Sequence, residues 1–356
     1  MNRVFIERFG VCSALGENLA SHVEVLKNKN LNAPISKINI KESADEYELP
    51  YYKAKTDFDT FLGQIGEICK DTALFVGSSS LGVELNEKEY ASSGIKVLGY
   101  DMQMPKICEK LNIKSYNRYL FCTACTSSAN ALTYAAKMIK AGIIKSALVL
   151  GVEVPNRLSL YGFMSLGLLS KSAILPFDKK RDGIVLGEGY GFVLLSNKKS
   201  EWEFVNGESQ NDIASITSPS IDGRTLSNVV TKILKDAKLK PKQIDLIKLH
   251  ATASDSNDIS ENAGICKIFQ KIPTAIALKG YMGHTLGACG ICELAFLLGA
   301  LEKNIAPKSM GFEQKDESFD ISPTTKNEFW NGSYILLNHL AFGGNTTSIL
   351  IKKNKS

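Results

Sequence analysis

The chain has no run approaching the roughly 20 consecutive apolar residues that a membrane helix requires, so a membrane-spanning protein is not expected. It also lacks any Pro/Ser/Gly-rich stretch that would set off independent modules, so its 356 residues read as one compact unit with two related lobes. Charge of either sign is not in large excess. Lys+Arg 42 against Asp+Glu 37 leaves +5, and much of the surplus is scattered lysine, including Lys352, Lys353 and Lys355, rather than a nucleic-acid groove. Met1 to Gly16 carries mixed charge without an apolar core, so it does not read as a signal peptide. The eight cysteines are spread along the chain instead of being packed into a short secreted framework, which suggests free thiols in a reducing cytoplasm. Apolar residues at 44% and charged ones at 22% exclude a disordered or collagen-like chain. Histidine is scarce. There are four, His22, His250, His284 and His339, so chemistry that needs imidazole has few places to be.

What is present is an alternation of apolar strands and helices. Strands are predicted at 3–6, 73–76, 118–122, 146–150, 190–195, 244–249, 274–278, 334–338 and 347–351. Helices are predicted at 17–27, from a Thr56 cap through Phe58, Phe61, Leu62, Ile65 and Ile68, at 126–141, around Leu226 to Leu234, at 258–270 and at 287–302. Residues 30–55 show no clear period. This grammar implies an α/β fold with buried, mostly parallel sheets.

Cys125 stands where an apolar strand gives way to a helix of small residues, TSSANAL. A thiol there feels the partial positive charge of unpaired amides, which lowers its pKa, and the same amides can line an oxyanion hole. His250 ends an apolar strand before Ala-Thr-Ala-Ser, and His284 lies in a glycine-rich segment, Lys279 to Gly290. His22 reads as a surface residue and His339 as structural. Two such histidines beside a helix-start cysteine indicate a nucleophilic site. Cys122-x-x-Cys125 and Cys289-x-x-Cys292 formally resemble zinc or dithiol pairs, but they lie far apart in apolar segments, so no metal is expected. Gly187-Glu188-Gly189 lacks the order of a phosphate loop and reads as a structural turn.

Five segments stand in the order of a known family. TACTSS around Cys125, PFDKKRDGIVLGEGYG at 176–191, HATAS at 250–254, LKGYMGHTLGACG at 278–290 and AFGG at 341–344 resemble the elongating β-ketoacyl-(acyl-carrier-protein) synthases of the Cys-His-His class. The resemblance implies a thiolase-like five-layer αβαβα architecture with two pseudo-related lobes, 1–200 carrying the nucleophile and 201–356 carrying both histidines. It implies decarboxylative Claisen condensation of an acyl-enzyme with malonyl-carrier protein, in fatty-acid or specialised polyene or polyketide synthesis, with no cofactor. Cys125 would be the nucleophile, and His250 and His284 the donors to the malonyl thioester carbonyl. The amides of Cys125 and Phe342 would form the oxyanion hole, with Phe342 also the gate. Lys279 would pair with Glu293 and orient His284, and Thr252 and Ser254 would hold the pantetheine arm.

The implied partners are acyl- and malonyl-loaded acyl carrier protein and a second ketosynthase-like subunit, identical or not, paired through the strand at 118–122. A catalytically weak, chain-length-factor-like subunit is the alternative, disfavoured because Cys125 is present. The sequence departs from the family pattern at several points: HATAS has alanine where glycine is usual, Ala341 precedes the FGG turn, Asn345-Thr346 displaces the usual asparagine, and Leu175 stands where arginine is common. The first half is also shorter than usual, especially between Ser80 and Leu120.

Overall fold

The computed structural model describes residues 2–28, 32–42, 45–94 and 103–354. Ten strands form one hydrogen-bonded series: β1 (Val4–Ser13), β2 (Ala73–Gly77), β3 (Arg118–Phe121), β4 (Ser146–Glu153), β5 (Gly189–Ser196), β6 (Trp202–Asn211), β7 (Leu246–Lys248), β8 (Thr274–Ile276), β9 (Tyr334–Leu340) and β10 (Asn345–Lys353). The first five lie in the order β1-β5-β4-β2-β3 and the second five in the order β6-β10-β9-β7-β8. These are the same order. The pairing senses also match: in each set the first two neighbouring pairs are antiparallel and the last two parallel. The chain thus repeats one topology twice, although no repeat is visible residue by residue. Among the described residues, strand pairing joins the two sets through Val4–Ile6 of β1 and Trp202–Phe204 of β6.

Strand side chains show why this becomes five layers. Successive strand residues point to opposite faces, and both faces here are apolar. Ala73, Phe75, Ala147 and Val149 enter the same central cluster as Ile335, Leu337, Ile349 and Ile351 of the other set. Filling the space between the sets are α1 (Ser127–Lys140) and α4 (Cys289–Glu302), through Ala129, Leu132, Ala136, Ile291, Leu294 and Leu298. The alternate residues Leu74, Val76, Leu148 and Leu150 face outward onto Phe61, Leu62, Met104 and Ile107, from the helices Phe58–Gly63 and Gln103–Lys110. On the other side Ile247, Leu336 and Leu350 meet Val229, Val230, Ile233 and Ile265 of α2 (Arg224–Asp236) and α3 (Asp255–Cys266). Helix, sheet, helix pair, sheet, helix is the α/β thiolase-like arrangement.

The two central helices cross at close range. A Cβ on Gly290 would lie 2.5 Å from the Ala129 nitrogen, so glycine is what lets α4 approach the start of α1. That approach brings the histidine segment and the cysteine turn, 159 residues apart, into one place.

Local differences from the sequence reading have physical causes. β1 runs ten residues, not four, because a register shift between Ile6 and Arg8 absorbs the polar break. Asp57, not Thr56, caps the helix at Phe58, accepting from the Thr60 amide at 2.7 Å. His22 is not on the surface. It is buried, its ring nitrogens 2.8 Å from Ser13 Oγ and from the Asn18 carbonyl, with its ring edge-on to Phe296.

Candidate active site

Cys125 lies on a single 3₁₀ turn, Ala124–Thr126, that leads into α1. The turn is held by Thr123 N–H to Ser127 Oγ at 2.9 Å and by Ser127 Oγ to the Ala124 carbonyl at 2.6 Å. Ala124 has φ +50, a left-handed conformation that strains a residue with a Cβ. The cysteine is 5% exposed. Its sulfur is 3.0 Å from His284 Nε2.

Burial reverses the sequence expectation for this thiol. Loss of water disfavours the thiolate and pushes the Cys125 pKa well up, and nearby Cys289 adds to this; Lys279 and the Phe342 backbone amide oppose it without winning. The helix-terminus effect is real but smaller than the cost of burying a charge. Cys125 therefore rests as a neutral thiol. Phe342, whose amide the resemblance assigns to the oxyanion hole, lines the same cavity as Cys125.

His250 follows β7. Its amide and that of Ala251 both donate to Glu261, at 2.7 and 2.9 Å. Ala251 and Ala253 have φ +47 and +64, the conformation for which glycine is the relaxed residue. The HATAS loop therefore carries strain that the Glu261 carboxylate, on α3, offsets by fixing two amides. Burial raises the Glu261 pKa to about 7. His284 follows Gly283, with φ +70, and is fixed by its own amide to the Val185 carbonyl at 2.8 Å and its carbonyl to the Gly187 amide at 3.0 Å. The Gly187 turn is thus a structural support. The two imidazoles sit edge to face, 5.4 Å apart. Burial, and then the Lys279 ammonium, hold both far below the ordinary histidine pKa, so both are neutral.

Lys279 donates to Glu293 at 2.7 Å, and its Nζ also lies 3.3 Å from His250 Nδ1. It therefore reaches His250, not His284 as expected from the sequence; the short helix Lys279–Met282 directs the lysine toward β7. Donation to Nδ1 leaves the His250 proton on Nε2. Thr252 and Ser254, 3.0 Å apart through their hydroxyls, line a narrow cavity of about 30 Å³ together with Cys125, His250, His284 and Phe342. The Phe342 ring rests against Phe163 at 5.3 Å. Asn345, out of its usual place, accepts from Thr126 at 2.6 Å and Asn130 at 2.9 Å, tying the turn after Phe342 to the Cys125 turn and α1.

Some residues the sequence reading passed over stand at this site. Glu261 lies inside the helix expected at 258–270, and Lys248 inside the apolar strand expected at 244–249. A lysine in the run Ile-Asp-Leu-Ile-Lys-Leu was a visible signal, since an ammonium at a buried strand position needs a partner. All eight cysteines are free, and Cys122 is exposed while Cys125, Cys289 and Cys292 are buried.

Two family models match consecutive parts of the chain: the β-ketoacyl synthase N-terminal domain over residues 70–201 and the β-ketoacyl synthase C-terminal domain over 204–313. Among curated proteins, a 3-oxoacyl-[acyl-carrier-protein] synthase 2 of Synechocystis is 30% identical over 65% of this chain and 60% of its own length. The mitochondrial 3-oxoacyl-[acyl-carrier-protein] synthase of Arabidopsis thaliana is 29% identical over 81% of this chain and 66% of its own length. The matched region thus spans about 60 to 66% of these relatives. Among solved structures, the ketosynthase ApeO in complex with its chain length factor ApeC, from Xenorhabdus doucetiae, superposes with a TM-score of 0.86 at 21% identity, covering 99% of this chain and 98% of that one. At that identity the likeness establishes the fold. With both halves of the family model matched in order over more than half of its length, the chain belongs to the β-ketoacyl synthase family.

Proposed function

We propose that this protein is a 3-oxoacyl-[acyl-carrier-protein] synthase, condensing an acyl group held on Cys125 with malonyl-carrier protein. One observation carries the reading: Cys125 Sγ, His284 and His250, remote in sequence, line a single cavity with Sγ 3.0 Å from the His284 ring. The neutral thiol passes its proton toward His284 Nε2 as sulfur attacks the acyl thioester. The carbon–sulfur bond to the carrier breaks, and the proton leaves with the carrier thiol. The amides of Cys125 and Phe342 receive the charge on the carbonyl oxygen in each tetrahedral intermediate. Malonyl thioester then replaces the first carrier. As CO₂ leaves, its bonding pair becomes the enolate, whose oxygen is stabilised by the Nε2–H of neutral His250 and by that of neutral His284 once its single proton has moved from Nδ1 to Nε2. The enolate carbon attacks the acyl carbonyl, the bond to Cys125 breaks with its electron pair left on sulfur, and one proton taken up from solvent restores the thiol.

Thr252 and Ser254 at the cavity wall would hold the pantetheine arm. A cavity of about 30 Å³ holds little more than a water, so Phe342 would swing off Phe163 to admit a thioester. The partners in this reading are acyl- and malonyl-carrier protein and a second ketosynthase-like subunit. β3 ends the strand series and offers an unpaired edge to that subunit, and the related Xenorhabdus enzyme is solved with a chain length factor. Free cysteines fit a cytoplasmic setting; among the described residues no helix is long and apolar enough to cross a membrane. Incubation with acyl- and malonyl-carrier protein should yield 3-oxoacyl-carrier protein by mass spectrometry; no product from primers of any length would overturn the assignment.

A further inference from the structure

Behind the two imidazoles lies a layer of charge that the chemistry above does not use. Lys248 on β7, Cys289 on α4 and His339 on β9 are all fully buried, at 0% exposure. Lys248 Nζ donates to Glu293 Oε2 at 2.5 Å and to the Asn338 carbonyl at 2.8 Å, and stands 3.4 Å from His339 Nδ1. The other Glu293 oxygen takes Lys279, which in turn faces His250. One carboxylate thus binds two ammonium ions in a dry site. His250, Cys289 and His339 have the donor atoms of a soft metal site within 4.8 Å of one another, but ammonium groups already facing both Nδ1 atoms disfavour another cation.

We propose that Lys248 is a positioning residue: through Glu293 it fixes Lys279 against His250 Nδ1, so that the proton of His250 stays on Nε2, facing the thioester. This deepens, and rests on, the reading of the site as a condensing centre. The titratable and charged groups facing the imidazoles from the surrounding elements are Lys248, Lys279, Glu293, Glu261, His339, Cys289 and Cys125. After burial and Lys279, Lys248 is among the groups that depress both histidines. A nearby cation disfavours imidazolium, so its removal raises the imidazole pKa. A second proton on His250 would occupy Nδ1, which would then confront the Lys279 ammonium. The active form would therefore be lost at a higher pH.

The test compares the full-length protein with Lys248→Gln, which keeps a hydrogen-bond donor without charge, and Lys248→Met, which keeps neither. Histidine titration by NMR and the pH profile of malonyl-carrier-protein decarboxylation are read together. In both variants the imidazole titrations and the acid limb should move up by about one unit, with kcat reduced and KM little changed. An unshifted Lys248→Gln titration would overturn the proposal. So would failure of both variants to fold, which would make Lys248 a requirement of the core. If the wild type decarboxylates no malonyl thioester, the condensing reading fails, while the NMR titration still decides the role of Lys248.

Discussion

Cys125 Sγ and His284 Nε2 lie 3.0 Å apart, both buried and both neutral. The pair is thus a thiol–imidazole hydrogen bond, not a thiolate–imidazolium ion pair. An ion pair would show its thiolate at neutral pH. Here the rate of Cys125 alkylation by iodoacetamide should climb about tenfold per pH unit from pH 7 to 9 without a plateau, because the thiolate fraction does so below a raised pKa. A plateau at or below pH 7 would show that the ion pair wins.

His250→Ala and His284→Ala should each slow decarboxylation of malonyl-carrier protein by roughly 10²–10³-fold, the usual effect of losing one preorganised donor to a developing oxyanion. Because both imidazole pKa values lie far below 6.5 in the fold, the wild-type rate should hold as pH falls through 6.5. A steady-state decarboxylation profile that drops at pH 6.5 would mean that the histidines are solvated and titrate normally.

Glu293 binds the Lys248 and Lys279 ammonium groups with no exposure of any of the three side chains. Burial alone would raise the Glu293 pKa, but the two lysines more than offset it and hold it below the usual range. The lysines respond in opposite directions: burial wins at Lys248, while at Lys279 it is outweighed by Glu293. Glu293→Gln should cost about 3–5 kcal/mol in urea unfolding, because it strands buried ammonium. A carboxylate whose folded pKa is depressed stabilises above its unfolded pKa and loses that effect as pH falls through the folded value. The gap between wild type and Glu293→Gln should therefore be full at pH 7 and shrink in acid below about pH 4.

Phe342→Ala removes the ring that rests on Phe163 over the narrow cavity. Iodoacetamide should then reach Cys125 faster at every pH, with the slope against pH unchanged. Unchanged rates would show that another element controls access.

Much of the candidate site's geometry is legible in the sequence because its residues sit where strands end. Cys125, His250 and His284 follow apolar strands or glycine turns, and both patterns survive as local signals. What was missed has a common cause. The hairpin Ser36–Glu42 and Asp45–Tyr51 and the helices Val83–Ser93, Gln103–Lys110 and Arg157–Ser165 lie at the periphery, where apolar positions alternate with many polar ones and the periodic signal is diluted; β6 lies between β1 and β10, but its run Glu203 to Asn211 is too polar to read as a strand. The Cys125 protonation state was misjudged because the helix terminus is visible in sequence and the completeness of burial is not. Lys279 was assigned to the nearer histidine in sequence; it serves the one that β7 brings alongside. His22 reads as a surface residue in the sequence, yet the short helix Leu19–Glu24 packs it against α4.

The central claim concerns what Cys125 carries. The protein is incubated with acyl-carrier protein, digested, and the Cys125 peptide is weighed before and after malonyl-carrier protein is added. The account requires the acyl mass on Cys125 in the first sample, its discharge in the second, and its absence from Cys125→Ala. An unmodified Cys125 in the wild type, or an acyl group on another residue, would contradict it.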